Sequence, residues 1–160
     1  DVYKRQHILL DAGFKFFTFI VWDKGRVMKN AFGSFSANNP YCVQRAEAII
    51  VMYKGKWKRD GVSTITKSDY LKLTEGVWQV PPPTENYGHP ATYPEKLIEN
   101  AIQLFTLKND LVLDLFMGTG TTLVVARRNE RRAIGIDISK KYCEIAKKRI
   151  LKETRQLKLF

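Results

Sequence analysis

The sequence predicts an α/β protein whose C-terminal half is a nucleotide-binding unit built on a parallel sheet. Three observations carry this. The run Leu111-Val112-Leu113-Asp114-Leu115-Phe116 is almost continuously apolar, which marks a strand buried on both faces. It is followed by two closely spaced glycines, Gly118 and Gly120, and by a helical segment from about Thr121 to Asn129. A second apolar strand, Ala133 to Ile138, then leads into another helix from Ser139 onward. Strand, helix, strand in that order requires a crossover and hence parallel pairing.

The preceding elements follow from local pattern. His7-Ile8-Leu9-Leu10-Asp11-Ala12-Gly13-Phe14 reads as the last turn of a helix stopped by a glycine, so a chain that begins inside a helix is expected to be incomplete at its start. Residues 14 to 22 and Glu47 to Tyr53 are rich in aromatic and β-branched types and read as an antiparallel strand pair. The long polar loop between them, about Asp23 to Arg45, exceeds the usual connection and suggests a functional segment. From Lys54 to Gly88 the pattern weakens to short β-prone pieces, Val62 to Thr66 and Gly76 to Val80, among charged and proline-rich stretches. Thr92-Tyr93-Pro94-Glu95 has the form of a capping box with proline in the first turn. The helix it opens carries Leu97, Ile98, Ala101, Ile102 and Phe105 on one face, suited to packing on a sheet. The expected organisation is partial catalytic-domain strands over 1–53, a small recognition insertion over 54–88, and a cofactor-binding subdomain over 89–160.

Composition narrows the function classes. With 160 residues the chain has room for one core and a small additional module. The 27 Lys and Arg against 16 Asp and Glu leave a net charge of +11, which suits a surface that neutralises phosphates or anionic membranes, or simple solubility. Cys42 and Cys143 stand far apart and outside any Cys/His cluster, which argues against a disulfide framework or a zinc site. No segment approaches the roughly 18 apolar residues of a membrane span, and the start lacks the pattern of a signal peptide, so a cytoplasmic location is expected.

Chemistry concentrates in Asp114-Leu115-Phe116-Met117-Gly118-Thr119-Gly120-Thr121-Thr122. Glycines between a strand and a helix allow a sharp turn and close approach of a ligand to the backbone. Asp137 closes the second strand, where doubly wound folds place the carboxylate that accepts ribose hydroxyls; it could instead cap the helix that follows, a role for which Ser139 competes. Asp114, an acid inside an apolar strand, needs a donor such as a ligand amine or a backbone amide. Nicotinamide dinucleotide and S-adenosylmethionine compete as ligands. Leu123 stands where the dinucleotide fingerprint has its third glycine, and the acid before the loop favours S-adenosylmethionine.

With these residues in view, the chain resembles the β-class of DNA amino-methyltransferases, the N6-adenine and N4-cytosine enzymes of restriction-modification systems. The matching segments, in order, are His89-Pro90-Ala91-Thr92-Tyr93-Pro94-Glu95-Lys96-Leu97, Leu113 to Thr122, Ala133-Ile134-Gly135-Ile136-Asp137-Ile138, and Tyr142-Cys143-Glu144-Ile145-Ala146. The likeness is firm from His89 to about Ile150 and looser over Trp22-Asp23-Lys24 and Glu47 to Lys54. It implies a Rossmann-like S-adenosylmethionine-dependent methyltransferase fold, incomplete here, with a small recognition insertion. It also implies cofactor contacts from His89, Pro90, Thr92, Asp114, Phe116, Met117, Gly118, Gly120, Thr121 and Thr122, and from Asp137 to the ribose. Leu115 departs from the proline usual in the family, a change that merely loosens the turn.

The family's catalytic tetrapeptide, Asp, Asn or Ser followed by Pro-Pro and an aromatic, is absent from the sequence and belongs upstream of these segments. Val80-Pro81-Pro82-Pro83-Thr84 lacks its polar and aromatic residues, and Asn39-Pro40-Tyr41 lacks the second proline, so neither reads as catalytic. By the family's strand order the absent part supplies central strands, and the chain alone is expected to expose strand edges, fold weakly and lack activity.

The resemblance makes double-stranded DNA the substrate and a restriction endonuclease a partner, and implies direct methyl transfer to an exocyclic amine of a flipped base without a metal. Its His-Pro-Ala form leans toward N4-cytosine enzymes. Candidate DNA contacts are Lys24, Arg26, Lys29 and Arg45 in one basic segment and Lys54, Lys56, Trp57, Lys58, Arg59 and Lys67 in another, an aromatic among lysines suiting a nucleic-acid groove as well as a solvated loop. Arg127, Arg128, Arg131 and Arg132 read as a solvated helix face, and Trp22 and Trp78 as core. A nicotinamide-dependent oxidoreductase and a non-enzymatic DNA-binding remnant are the alternatives.

Overall fold

The computed structural model describes residues 2–25, 44–83 and 93–157, and these divide into two compact units: residues 1–60 with 75–80, and residues 61–74 with 81–160. The stretch 54–88, expected as an insertion, therefore contributes to both units rather than forming one of its own.

The first unit begins with α1 (Val2–Asp11). Gly13, at φ +83°, ends it: its amide donates to the Leu10 carbonyl at 2.8 Å, and Phe14 N donates to Leu9 O at 3.0 Å. These bonds satisfy carbonyls that the last helical turn leaves open. Strands β1 (Lys15–Asp23) and β2 (Ala46–Tyr53) pair antiparallel, as their composition predicts, and β3 (Val77–Gln79) lies parallel on the other side of β1. The register sets Trp22 opposite Trp78. Both indoles are buried with Ile20 and Val80, and Trp22 Nε1 donates to Val80 O at 2.7 Å, so the two tryptophans are core residues. The register shifts between Phe16 and Thr18, an irregularity that leaves Phe17 outside the pairing, where its ring stacks on Trp57 with centroids 3.9 Å apart.

The second unit opens with an extended segment at 62–66, where the β-prone reading fails to find a strand partner among the described residues. The short helix α2 (Lys67–Leu73) follows, with Thr66 Oγ1 accepting from Asp69 N at 3.0 Å while donating to Asp69 Oδ2 at 2.7 Å. Helix α3 (Glu95–Phe105) starts later than the capping-box reading places it: Pro94 is the N-cap, its carbonyl accepting from Leu97 N, and no side chain caps the end. Thr92, the expected cap, lies outside the described residues.

Strand β4 (Leu111–Asp114), helix α4 (Thr121–Arg128), strand β5 (Arg132–Gly135) and helix α5 (Lys140–Leu157) complete the unit, with β4 and β5 parallel from Leu111↔Arg132 to Asp114↔Gly135. Ile98 and Ile102 of α3 meet Val125 and Ala126 of α4 and Val112 and Ala133 of the strands in one apolar cluster. Of the α3 face expected to pack on a sheet, Ile98 and Ile102 join this cluster, and the helix meets α4 most closely. The expectation of burial on both sheet faces is corrected. Val112 and Ala133 face the helices, whereas Leu111, Leu113, Ile134 and Ile136 are about half exposed on the opposite face. The apolar run reads as doubly covered because parallel strands normally are; within this unit no described element covers the second side.

Candidate functional site

The glycine loop forms at the end of β4 because the chain must turn sharply from strand to helix within six residues, Leu115 to Gly120. Two positions require glycine. Gly120, at φ +83°, brings the loop against α5 so closely that a Cβ there would stand 2.7 Å from Ala146 Cβ. Gly135 of β5 makes room for Met117 Sδ and for Leu123, whose Cδ1 would lie 2.8 Å from an added Cβ. Met117 thus anchors the loop from below: its side chain packs on β5, its amide donates to Ile136 O at 3.0 Å, and its carbonyl accepts from Gly120 N at 2.8 Å.

Both acids predicted at the site bond to this loop, Asp114 from the end of β4 and Asp137 from beyond the end of β5. Asp137 Oδ2 accepts from Gly118 N at 2.9 Å and Oδ1 accepts from Ser139 N at 2.8 Å. One carboxylate therefore ties the loop after β4 to the start of α5. Helix capping is one half of what it does, and each oxygen retains a lone pair for a further donor. Asp114 Oδ1 accepts from Phe116 N at 3.0 Å, which supplies the amide partner its place in an apolar strand demands. Its Oδ2 has no partner within the described residues. Phe116 projects from the loop and is 89% exposed.

The threonines of the loop divide. Thr122 is half-buried at the start of α4, whereas Thr119 and Thr121 are buried and turned toward Arg149. Arg149 Nη1 donates to Thr119 O at 2.8 Å and to the Thr121 hydroxyl at 3.2 Å, and Nη2 donates to Glu95 Oε1 at 3.2 Å. Arg149 gives no signal in the sequence because it sits in a lysine-rich helix that looks wholly solvated. Its distance in sequence from Thr119 carries no periodic pattern either. Glu95 also accepts from Arg128 Nη1 at 2.9 Å, so α3, α4 and α5 are pinned together beneath the loop. The structure brings together Asp114, Phe116, Met117, Gly118, Gly120, Thr121, Thr122 and Asp137; His89, Pro90 and Thr92 lie outside the described residues.

The basic candidates among the described residues have different partners. Lys24 pairs with Glu47 and lies over Trp22 at 5.1 Å from the ring centroid. Arg45 forms a two-pronged pair with Asp23, Nε to Oδ1 and Nη2 to Oδ2 both at 2.7 Å. The pair holds the Asp23 carboxyl below its ordinary value, chiefly through the Arg45 hydrogen bonds and then the Gly25 amide, and raises Arg45. Lys54 donates to Ala12 O at the end of α1 at 2.8 Å. Lys56, Lys58 and Arg59 are exposed beside the Phe17–Trp57 stack, Trp57 also meeting Tyr53 edge-on at 5.3 Å. Lys67 belongs to the second unit, and Arg26 and Lys29 lie outside the described residues.

The arginine run at the end of α4 is corrected in one member. Arg131 is only 2% exposed. The chain leaves α4 through Asn129 and Glu130, the latter at φ +61°, which drops Arg131 beneath the helix instead of along it. There Nε donates to Thr106 Oγ1 at 2.8 Å, Nη2 to Thr106 O at 2.8 Å, and Nη1 to Thr64 Oγ1 and Asn129 O, each at 2.6 Å. Burial pulls its guanidinium below the usual arginine value, opposed by the charges of Asp110 and Glu130.

Among the described residues no group of His, Cys, Asp and Glu could hold a metal ion, and no helix is long and apolar enough to cross a membrane. A family model described as DNA methylase, covering the N6 and N4 enzymes, matches residues 3–148. The Type II methyltransferase M.BglI of Bacillus subtilis is 29% identical over 141 residues, covering 88% of this chain and 40% of its own. M.MjaI of Methanocaldococcus jannaschii is 30% identical over 153 residues, covering 86% of this chain and 50% of its own. A solved structure described as a putative DNA modification methylase of Thermus thermophilus, complexed with S-adenosyl-L-methionine, superposes with a TM-score of 0.72 at 26% identity, over 92% of this chain and 58% of that one. The chain spans about half or less of the curated relatives and somewhat more than half of that structure. With a family match over nearly its whole length and the α/β fold of these enzymes, the chain belongs to the N6/N4 family of DNA methylases.

Proposed function

We propose that this chain is the cofactor-binding portion of a DNA methyltransferase that moves a methyl group from S-adenosylmethionine to an exocyclic amine, N4 of cytosine or N6 of adenine, with N4 favoured by the form of the His89-Pro90 segment. The observation that carries the reading is the Asp114–Asp137 arrangement: one carboxylate fastened between loop and helix, the other with a free oxygen at the strand end. The residues fit the cofactor. Asp114 Oδ2 is an acceptor for its ammonium group, the remaining lone pairs of Asp137 suit ribose hydroxyls, and the exposed Phe116 ring offers an apolar face. Thr122 and the backbone at Gly118 and Gly120 line the approach, and His89, Pro90 and Thr92 are assigned to the same ligand by family resemblance. The bound cofactor supplies an already reactive methyl sulfonium, so the chain's residues hold and orient it and the main gain is positional.

The target amine needs the Asp/Asn/Ser-Pro-Pro-aromatic tetrapeptide, which this sequence does not contain. We therefore assign no catalytic residue here and expect cofactor binding without methyl transfer from the 160-residue chain alone. Double-stranded DNA is the substrate of the whole enzyme, with Lys56, Lys58 and Arg59 beside Trp57 the strongest of its candidate contacts. A cognate restriction endonuclease and a cytoplasmic location complete the proposal.

Calorimetric titration of S-adenosylhomocysteine into the chain tests it, with Asp137→Ala as the comparison. Losing one charged acceptor from the ligand and from the loop is expected to weaken binding by about tenfold or more. A cooperatively folded chain that binds no S-adenosylhomocysteine would refute the cofactor assignment.

A further inference from the structure

A cleft of about 330 Å³ opens between α4, β5 and α5, bordered by Arg127, Arg131 and Arg132 and walled by Leu123, Ala133 and Ile150. It lies at the opening end of the parallel strands: Arg132 pairs with Leu111, whereas the glycine loop leaves from Asp114, which pairs with Gly135 at the closing end. Three residue steps along the strand, about 10 Å, separate the two, so the cleft is distinct from the proposed cofactor site.

On the rim, Arg127 and Arg132 have no acidic partner among the described residues, whereas the buried Arg131 is partly offset by the charges of Asp110 and Glu130. The acids next to it in sequence are engaged elsewhere: Glu153 accepts from Arg128 Nε at 2.8 Å and Nη2 at 3.1 Å, and Glu130 pairs with Lys108 at 2.7 Å. Arg127 is exposed and has no partner among the described residues, and Arg132 spends only its Nε, on Asn109 O at 3.1 Å. Arg131 fixes the inner wall, its guanidinium held by four hydrogen bonds to neutral oxygens. Two guanidiniums with open donor edges, backed by a third buried cation and no acidic lining residue, match the oxygen-rich, tetrahedral charge of a phosphate. The volume is at the lower end of ligand pockets, which restricts the ligand to a small group. We propose that this cleft binds a phosphate group, contributed either by a free phosphomonoester or by a DNA backbone.

Inorganic phosphate is the probe, titrated into the 160-residue chain and followed by calorimetry and by amide shifts of residues 123–133. Arg127→Gln is the informative variant, because its side chain is exposed and partnerless among the described residues and its loss leaves the fold intact. The double variant with Arg132→Gln extends it, and Lys141→Gln, an exposed cation on α5, controls for general charge. The expected result is saturable binding, weakened about fivefold or more by Arg127→Gln, abolished in the double variant and unchanged in Lys141→Gln, with melting temperatures alike for Arg127→Gln and the parent. A short duplex with 5′-hydroxyl ends that displaces the phosphate identifies a backbone phosphodiester as the source; a nucleoside monophosphate that displaces it when the duplex does not identifies a free phosphomonoester. Shifts absent from residues 123–133, or binding equally affected by Lys141→Gln, would overturn the proposal.

Discussion

At the scale of single residues, the molecule uses carboxylates as fasteners, and this makes its stability depend on acid pH. Glu153 is drawn below its ordinary 4.5, first by the Arg128 hydrogen bonds, while Arg128 is raised by the same pair. A folded value below the unfolded one means the contribution is fully present above about pH 4.5 and is lost as pH falls through the folded value. Asp23 behaves alike with Arg45, its window lying below 3.8. Glu153→Gln is expected to lower stability at neutral pH by about 1 kcal/mol or less, since Arg128 is well exposed, and to flatten the acid limb of a denaturation-midpoint-versus-pH curve. Identical curves for parent and variant would contradict it. The glycines give a sharper test. Gly120→Ala adds a Cβ at 2.7 Å from Ala146 Cβ in a left-handed backbone, and a loss of about 1–3 kcal/mol is expected in chemical unfolding. Asp114, Asp137 and the glycine pair are legible in the sequence because a strand end, a turn and a helix start each leave a residue-type signature. Thr121 reads as a ligand contact by family resemblance, and only the structure places its hydroxyl on Arg149.

At the scale of elements, the pattern that sequence captures best is periodic burial. The strands β1, β2, β4 and β5 and helices α3, α4 and α5 all stand where the sequence reads them, although β4 ends at Asp114 and β5 at Gly135, short of the apolar runs that continue to Phe116 and Ile138. The element without such a signal, α2, is seven residues long and too short to show a period, although Thr66 and Asp69 carry a readable cap. The arginine run misleads for a related reason: Arg127 to Arg132 looks like one helical face until a left-handed residue at Glu130 ends the helix and turns Arg131 inward. That inward turn joins three elements, since Arg131 reaches Thr64 ahead of α2, Thr106 at the end of α3 and Asn129 at the end of α4. Arg131→Met keeps much of the apolar volume but removes every donor from these partly buried oxygens, and we expect about 1–3 kcal/mol of destabilisation by urea titration. Thr64→Val, which removes a single acceptor, is expected to cost about 1 kcal/mol and leave α4 in place. An Arg131→Met variant as stable as the parent would show that Arg131 contributes only its packing.

At the scale of the whole molecule, the β4–β5 sheet has one face closed by helices and the other uncovered by any described element of its own unit. Leu111, Leu113, Ile134 and Ile136 all sit on the open side with about half their surface in water, and Leu115 and Ile138 extend the stretch. The sequence misleads here because apolar runs report what a strand is built to meet, not what the chain in hand supplies. A contiguous patch of this kind is costly to hydrate and drives association. The 160-residue chain at +11 is opposed by its own charge, so association is expected to grow with salt as screening removes the repulsion. Light scattering across a salt series should therefore show rising mass for the parent chain. Leu113→Thr combined with Ile134→Thr is expected to suppress the rise while leaving the helix-facing cluster of Ile102, Val125 and Ala126, and hence the unfolding midpoint, nearly unchanged. The opposite salt dependence, with mass falling as salt rises, would mean that ion pairing rather than the open apolar face holds the copies together.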